Sequence, residues 1–282
     1  MVLGINSFGI KVWALALSFF SVPLVFGDES GDLAVCLLED NTPYSNRKMS
    51  LGFDYDLAGV LAENLGLKFT PVWISNSTQI QEVENDYPFR RLARGECNLI
   101  LSVPGPVEYT IEEGIPITLG NPYYAAAFEL VGRTNTSPRI KAVKGKQVAI
   151  QSQTVAHFAL RMLGGKSKTY FSMSEAIAGI IENETEIGLL WGPTSGWKLH
   201  ELVKAEDSLG FVEGYEPPRA LRWNIHFATR EDDGFFRDLV SGAIKSLDQT
   251  GELSKLMHKY HFPDRRSYAS TYTLGAINDL QY

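Results

Sequence analysis

The chain has 282 residues, 44% of them apolar, with 26 basic against 33 acidic side chains and a net charge of −7. An acidic chain without a Lys/Arg cluster argues against nucleic acid or anionic lipid as a partner. The composition is that of an ordinary globular protein, long enough for one large domain or two of moderate size.

The N-terminus carries one lysine, Lys11, and then the uncharged run "VWALALSFFSVPLVFG" before Asp28. That run is short for a membrane span and suits the apolar region of a secretory signal, so residues 1–27 are predicted as a signal peptide cleaved after Gly27. An uncleaved anchor is the alternative; either way the rest of the chain is exported. No later segment approaches membrane-spanning length. The two cysteines, Cys36 and Cys97, lie in the strand-like runs "LAVCLL" and "CNLILS". An exported pair can oxidise to a disulfide, the other reading being two buried thiols that pack as small hydrophobes. Two cysteines are too few for a structural zinc site.

In chain order, a strand is expected at Leu33 to Leu38, followed by the loop "EDNTPYSNRKMSLGFD" and the helix "YDLAGVLAENLG". That helix places Leu57, Val60, Leu61 and Leu65 on one face and stops at Gly66. The strand "LKFTPVWI", a helix around "YPFRRLARG" and the strand "CNLILSV" come next, the alternation of a doubly wound sheet. "GNPYYAAAFELVGR" reads as extended chain crossing to a second unit. There the pattern restarts: strand "QVAIQ", helix "TVAHFALRMLGG", strand "SKTYF", helix "MSEAIAGIIENE" and strand "IGLLW". The strand "WNIHFATR" and two closing helices are too small to fold alone and must return to the first unit.

The expected layout is an α/β fold of two doubly wound lobes: 32–121 plus 221–262 as lobe 1, 122–220 as lobe 2, and 263–282 as a tail that wraps lobe 1 or is partly loose. Two crossings, near 121–127 and 217–223, would form a two-stranded hinge. Ligands of such sheets sit outside the carboxyl ends of the strands, which nominates specific residues. Asn41, Tyr44 and Ser45 follow the first strand, and Trp73 and Pro104 close the next two. Tyr123 and Tyr124 lie on the crossing, and Gln151, Ser152, Gln153 and Thr154 precede a helix that Ser152 or Gln153 could cap. Trp191 and Trp197 bracket "WGPTSGW", where Gly192 and Pro193 read as a turn. The plainer alternatives are Asx-turn chemistry around Pro43 and tryptophans that cap the second lobe's own core.

The phrases "DNTPYSN", "GFDYDLAGVLAENLGLK", "NPYYAAAFELVGR", "KGKQVAIQSQT" and "DLVSGAIKSLDQTGELSKLMHKY" resemble the extracellular solute-binding proteins of family 3, the receptors of polar amino acid ABC importers. The resemblance implies the type II periplasmic binding protein fold, hinge closure around a ligand and a periplasmic location. Receptors of this family usually follow the third strand with Thr and an Arg that clamps the α-carboxylate, and place an Asp after the last strand of lobe 2. Here the first place reads "SVPGPVEYT" and the second is Trp191. A zwitterion would leave both poles unpaired, so an ordinary amino acid is not expected as ligand.

"CLLEDNTPYSN", "CNLILSVPG", "NPYY" and "LLWGPTSGW" are similar to a narrower subgroup, solute-binding-like proteins found with quinoprotein alcohol dehydrogenases, including the J component of methanol oxidation systems. That subgroup carries Trp-Gly-Pro after the same strand and a Cys on both the first and the third strands of lobe 1. This chain departs from its usual Trp-Gly-Pro-x-Ala-Gly-Tyr at Ser195 and Trp197. The resemblance implies a non-catalytic partner of a pyrroloquinoline quinone (PQQ) dehydrogenase, helping its maturation or activation. The other reading is the binding receptor of an ABC permease for a small molecule other than an ordinary amino acid. No cofactor, metal or catalytic residue is expected: there is no G-x-S-x-G, H-E-x-x-H or phosphate loop, and His258 and His261 read as solvated helix residues.

Overall fold

A computed structural model describes residues 31–76, 87–111, 113–204 and 207–281, and the expected signal peptide lies outside them. The strands are β1 Asp32–Leu38, β2 Asp40–Asn41, β3 Ser45–Asn46, β4 Lys68–Ile74, β5 Ile100–Pro104, β6 Ile117–Leu119, β7 Tyr124–Arg133, β8 Gln147–Gln151, β9 Lys166–Tyr170, β10 Ile187–Trp191, β11 Leu209–Phe211 and β12 Arg222–Arg230. The helices are α1 Phe53–Leu65, α2 Pro88–Ala93, α3 Val155–Leu163, α4 Met173–Ile181, α5 Gly192–Leu202, α6 Gly234–Gln249 and α7 Glu252–Lys259.

Local chemistry accounts for several of these limits. Gly66 closes α1 in the left-handed region, its amide returning to Ala62 and Glu63. Ser172 and Glu175 form a reciprocal capping box at the start of α4. Tyr124 to Gly132 of β7 are all buried, as in a strand covered on both faces.

The sheet is mixed. β1 and β4 pair in parallel and β1 bridges to Leu99, beside β5. From β5 the order runs β12, β7, β10, β8, β9, with β10, β8 and β9 parallel and the joins at β12 and β7 antiparallel. The crossing segments are themselves an antiparallel pair, Tyr124 opposite Ile225 and Ala127 opposite Arg222, and they join both halves into one sheet path. Tyr124 and Ala126 of β7 belong to the apolar core under α1, α6 and α7, while Phe128 and Leu130 belong to the core under α3.

Residues 263–281 pass Ser267 beside Ile244 and Lys245 of α6 and end in the second core. Ala276 and Leu280 are buried in the core that holds Val148, Leu160 and Leu189. The approach to them runs along β12: Asn224 pairs with the backbone of Tyr268, Arg222 bonds Ser270, and Tyr272 stacks on Trp223 at 5.0 Å. The apolar i, i+4 pair Ala276 and Leu280 requires burial, and the second half supplies the complementary face.

Candidate functional site

Three strand ends converge on one cavity. After β1 the chain turns back through Asn41 to Ser45: the Tyr44 amide bonds the Asn41 carbonyl at 2.7 Å, and the Ser45 hydroxyl bonds the Leu38 carbonyl at 2.7 Å. This loop is fastened to the start of α1 by the amides of Phe53 and Asp54, which reach the carbonyls of Pro43 and Tyr44. Gly52 makes the contact possible, since at φ 139° a Cβ would lie 2.3 Å from the Tyr44 oxygen.

In the middle of β5, Ser102 sits in the left-handed region at φ 53°, costly for a residue with a Cβ. Its amide donates to the Tyr123 hydroxyl at 2.8 Å, its hydroxyl donates to Asp54 Oδ1 at 2.5 Å, and the Tyr124 hydroxyl donates to it at 3.0 Å. At the end of β10, Trp191 donates its indole N–H to the Tyr44 hydroxyl at 2.8 Å. This bond joins residues of the two halves.

The cavity between these ends measures about 340 Å³, near the lower limit for small-molecule sites. Asn41, Tyr44, Ser45, Pro104 and Trp191 line it together, with Asp54 and Ser102 beneath. Asp54 is buried, and burial pushes its carboxyl up to about 7, a shift the Ser102 hydroxyl opposes. Burial likewise raises the phenols of Tyr44, Tyr123 and Tyr124, with Asp54 adding to each, so all three stay neutral. The wall is otherwise apolar, and Cys36, bonded to Cys97 in a disulfide, forms part of it.

Other nominated residues lie elsewhere. Tyr123 and Tyr124 stand behind the cavity and act on it through Ser102. Trp73 stacks on Tyr55 at 5.8 Å against the first core. Gln153 and Thr154 face a separate depression beside Phe158 and Tyr272. Thr154 is the residue before α3, without a side-chain cap, and its hydroxyl bonds the Gln151 carbonyl instead, while the Ser152 amide is taken by Tyr170. Neither Ser152 nor Gln153 caps the helix.

"WGPTSGW" is the start of a helix and not a turn. Gly192 and Pro193 occupy the first turn of α5, where proline's missing N–H costs nothing. Gly196 brings this helix against the chain leaving α7: a Cβ there would lie 1.9 Å from the His261 carbonyl oxygen. Trp197 packs on Tyr260 and His261 at this contact, away from the cavity, and His200 stacks on His261 at 3.7 Å. His261 is thus a packed residue at the junction. Among the described residues no group of three or more His, Cys, Asp or Glu could hold a metal ion, and no helix is long and apolar enough to cross a membrane.

Asp54 and Ser102, the polar pair of the cavity, are not among the residues nominated from sequence. Asp54 lies three, four and seven positions before Leu57, Ala58 and Leu61, all buried, so a carboxylate on the apolar stripe of α1 was the available signal. Ser102 offered none, because only its backbone conformation sets it apart.

No family model matches the chain, and no curated protein matches it in sequence. Solved structures do match in fold. MxaJ from Methlophaga aminisulfidivorans MPT is 17% identical with a TM-score of 0.62, over 82% of this chain and 99% of that one. The periplasmic binding protein XoxJ from Methylobacterium extorquens AM1 is 20% identical with a TM-score of 0.60, over 83% and 100%. The L-cystine solute receptor of Neisseria gonorrhoeae, in its unliganded open conformation, is 16% identical with a TM-score of 0.67, over 85% and 96%. The strand order, the paired crossing strands and these likenesses give the chain the two-lobed fold of the type II periplasmic binding proteins.

Proposed function

We propose that the protein is a non-catalytic, periplasmic, solute-binding-like protein that works beside a PQQ-dependent (quinoprotein) alcohol or methanol dehydrogenase and aids its maturation or activation. The observation that carries this reading is Trp191. It is the second half's contribution to the cavity wall, at the strand end where the family resemblance implies an Asp, and its N–H is given to Tyr44. No Lys, Arg or His is among the described residues of that wall. The carboxylate of an amino acid would be buried there without a counter-charge, at a cost of several kcal/mol. The fold likeness to MxaJ and XoxJ supports the dehydrogenase as partner.

Within this reading residues 1–27 are the signal peptide, 32–121 with 221–262 and 122–220 are the two lobes, and β7 and β12 are the hinge on which they close. The second reading, a receptor for an ABC importer of a small solute, is favoured by the small-molecule size of the cavity itself. Affinity purification of the tagged protein from its native periplasm separates the two. Recovery of a quinoprotein dehydrogenase, with reduced dehydrogenase activity in a deletion strain, supports the first; no dehydrogenase recovered and normal activity in the deletion strain removes it.

A further inference from the structure

We propose that the cavity beneath Trp191 is a site for a small organic ammonium ion, an amine with an apolar substituent and no carboxylate, whose charge is taken by Asp54. The inference rests on the protein being solute-binding, and on neither partner.

Asp54 is 7% exposed and forms part of the cavity wall, where it is the one carboxylate among the described lining residues. Its Oδ1 accepts from Ser102, and among the described residues no donor reaches Oδ2. The groups that face it are all hydroxyls: Ser102 on β5, Tyr44 in the loop before β3, Tyr123 just before β7 and Tyr124 at its start. With no cation beside it, an ionised Asp54 is a buried charge short of a partner. An ammonium group brings that charge, together with N–H donors for Oδ2. Asp54 also stands in the first turn of α1, where the helix dipole favours its ionised form.

The rest of the wall suits the remainder of such a ligand. Tyr44, Tyr87, Phe89 and Trp191 supply aromatic surface, which attracts a cation by its ring face and buries an apolar substituent without directional demand. Trp191 gives its N–H to Tyr44, so the indole offers the ligand its ring. A carboxylate on the ligand would find Asp54 and no counter-charge, which separates this class from amino acids.

Charge recognition of this kind has a definite pH dependence. The carboxyl of the empty site titrates at about 7, and the ammonium binds its ionised form. Affinity therefore falls as pH falls, by about tenfold between pH 8 and pH 6, and binding at pH 7 releases about half a proton. A neutral alcohol accepting from protonated Asp54 would show the opposite trend.

The test is calorimetric titration of the purified protein with n-alkylamines from methyl to hexyl and with benzylamine, using benzyl alcohol and phenylalanine as matched controls. We expect saturable binding of an amine, none of phenylalanine, the tenfold weakening at pH 6, and loss of binding in Asp54→Asn. Should that variant fail to fold, proton release by the wild type in two buffers of different ionisation enthalpy reads the same linkage. Absence of binding by every amine, equal binding of benzyl alcohol, tighter binding at pH 6, or unchanged binding by folded Asp54→Asn each overturns the proposal. The titration contains no second protein, so failure to recover a dehydrogenase leaves its outcome intact.

Discussion

Arg265→Ala should be the most damaging single substitution outside the apolar core. Glu129 lies in β7, 2% exposed, and accepts two hydrogen bonds from the Arg265 guanidinium at 2.9 and 2.7 Å. The same guanidinium bonds the Tyr215 carbonyl at 2.8 Å, so one side chain ties the start of the tail to both β7 and the loop before β12. Removing it leaves a carboxylate buried without its cation, a loss of about 3–5 kcal/mol. In a chain of this size that corresponds to a fall in Tm of roughly 6–20 °C. The effect has a sign with pH. Burial already holds the Glu129 carboxyl above its ordinary range against the pull of Arg265, and loss of Arg265 raises it further. An acid whose native pKa exceeds its unfolded value costs nothing while both states are protonated, below about pH 4, and costs more as pH rises toward the native value. Scanning calorimetry of Arg265→Ala should thus show a deficit that shrinks in acid. The double variant Glu129→Gln with Arg265→Met, which removes both charges, should recover most of the loss. A Tm for Arg265→Ala within about 2 °C of wild type at pH 7.5 would refute the reasoning.

Asp54→Asn should stabilise the protein at pH 8, by up to roughly 4 kcal/mol, and flatten its stability profile, because a carboxyl raised from 3.8 to about 7 loses stability for the native state as pH rises between those values; urea midpoints at pH 5 and pH 8 decide it. Gly196→Ala puts a methyl into the His261 backbone and should cost about 1–3 kcal/mol, whereas Gly210→Ala, with open space around it, should melt like the wild type. Trp191→Phe keeps a ring but removes the donor to Tyr44, for a loss of about 1–2 kcal/mol in denaturant titration. Replacing Cys36 and Cys97 by Ser opens a loop of 61 residues, for which chain entropy gives about 4 kcal/mol as an upper figure, read from urea unfolding without reductant.

The strands were legible because their signal is local: "LAVCLL", "QVAIQ", "IGLLW" and "WNIHFATR" are apolar runs of strand length, and each is a strand. The start of α5 was not, since Gly192, Pro193, Ser195 and Gly196 are turn-forming residues by propensity. Their role in the fold is to let a helix approach a neighbouring backbone, which depends on His261 far along the chain. Among the site candidates, Asn41, Tyr44, Ser45, Pro104 and Trp191 follow from one rule about strand ends, and the structure gathers them. Trp73 and Gln153 satisfy the same rule yet lie apart, Trp73 held by Tyr55, and Gln153 beside the tail's Tyr272. Ala276 and Leu280 mark an apolar face in the sequence, and only the fold says which core receives it.

The central functional claim is that this protein engages a quinoprotein dehydrogenase directly. Sedimentation velocity of the purified protein mixed with a purified quinoprotein alcohol dehydrogenase from the same periplasm tests it without a reporter. We expect a faster boundary containing both proteins, saturating as the dehydrogenase is titrated; two boundaries that sediment as they do alone, at micromolar concentrations of each, would contradict the claim.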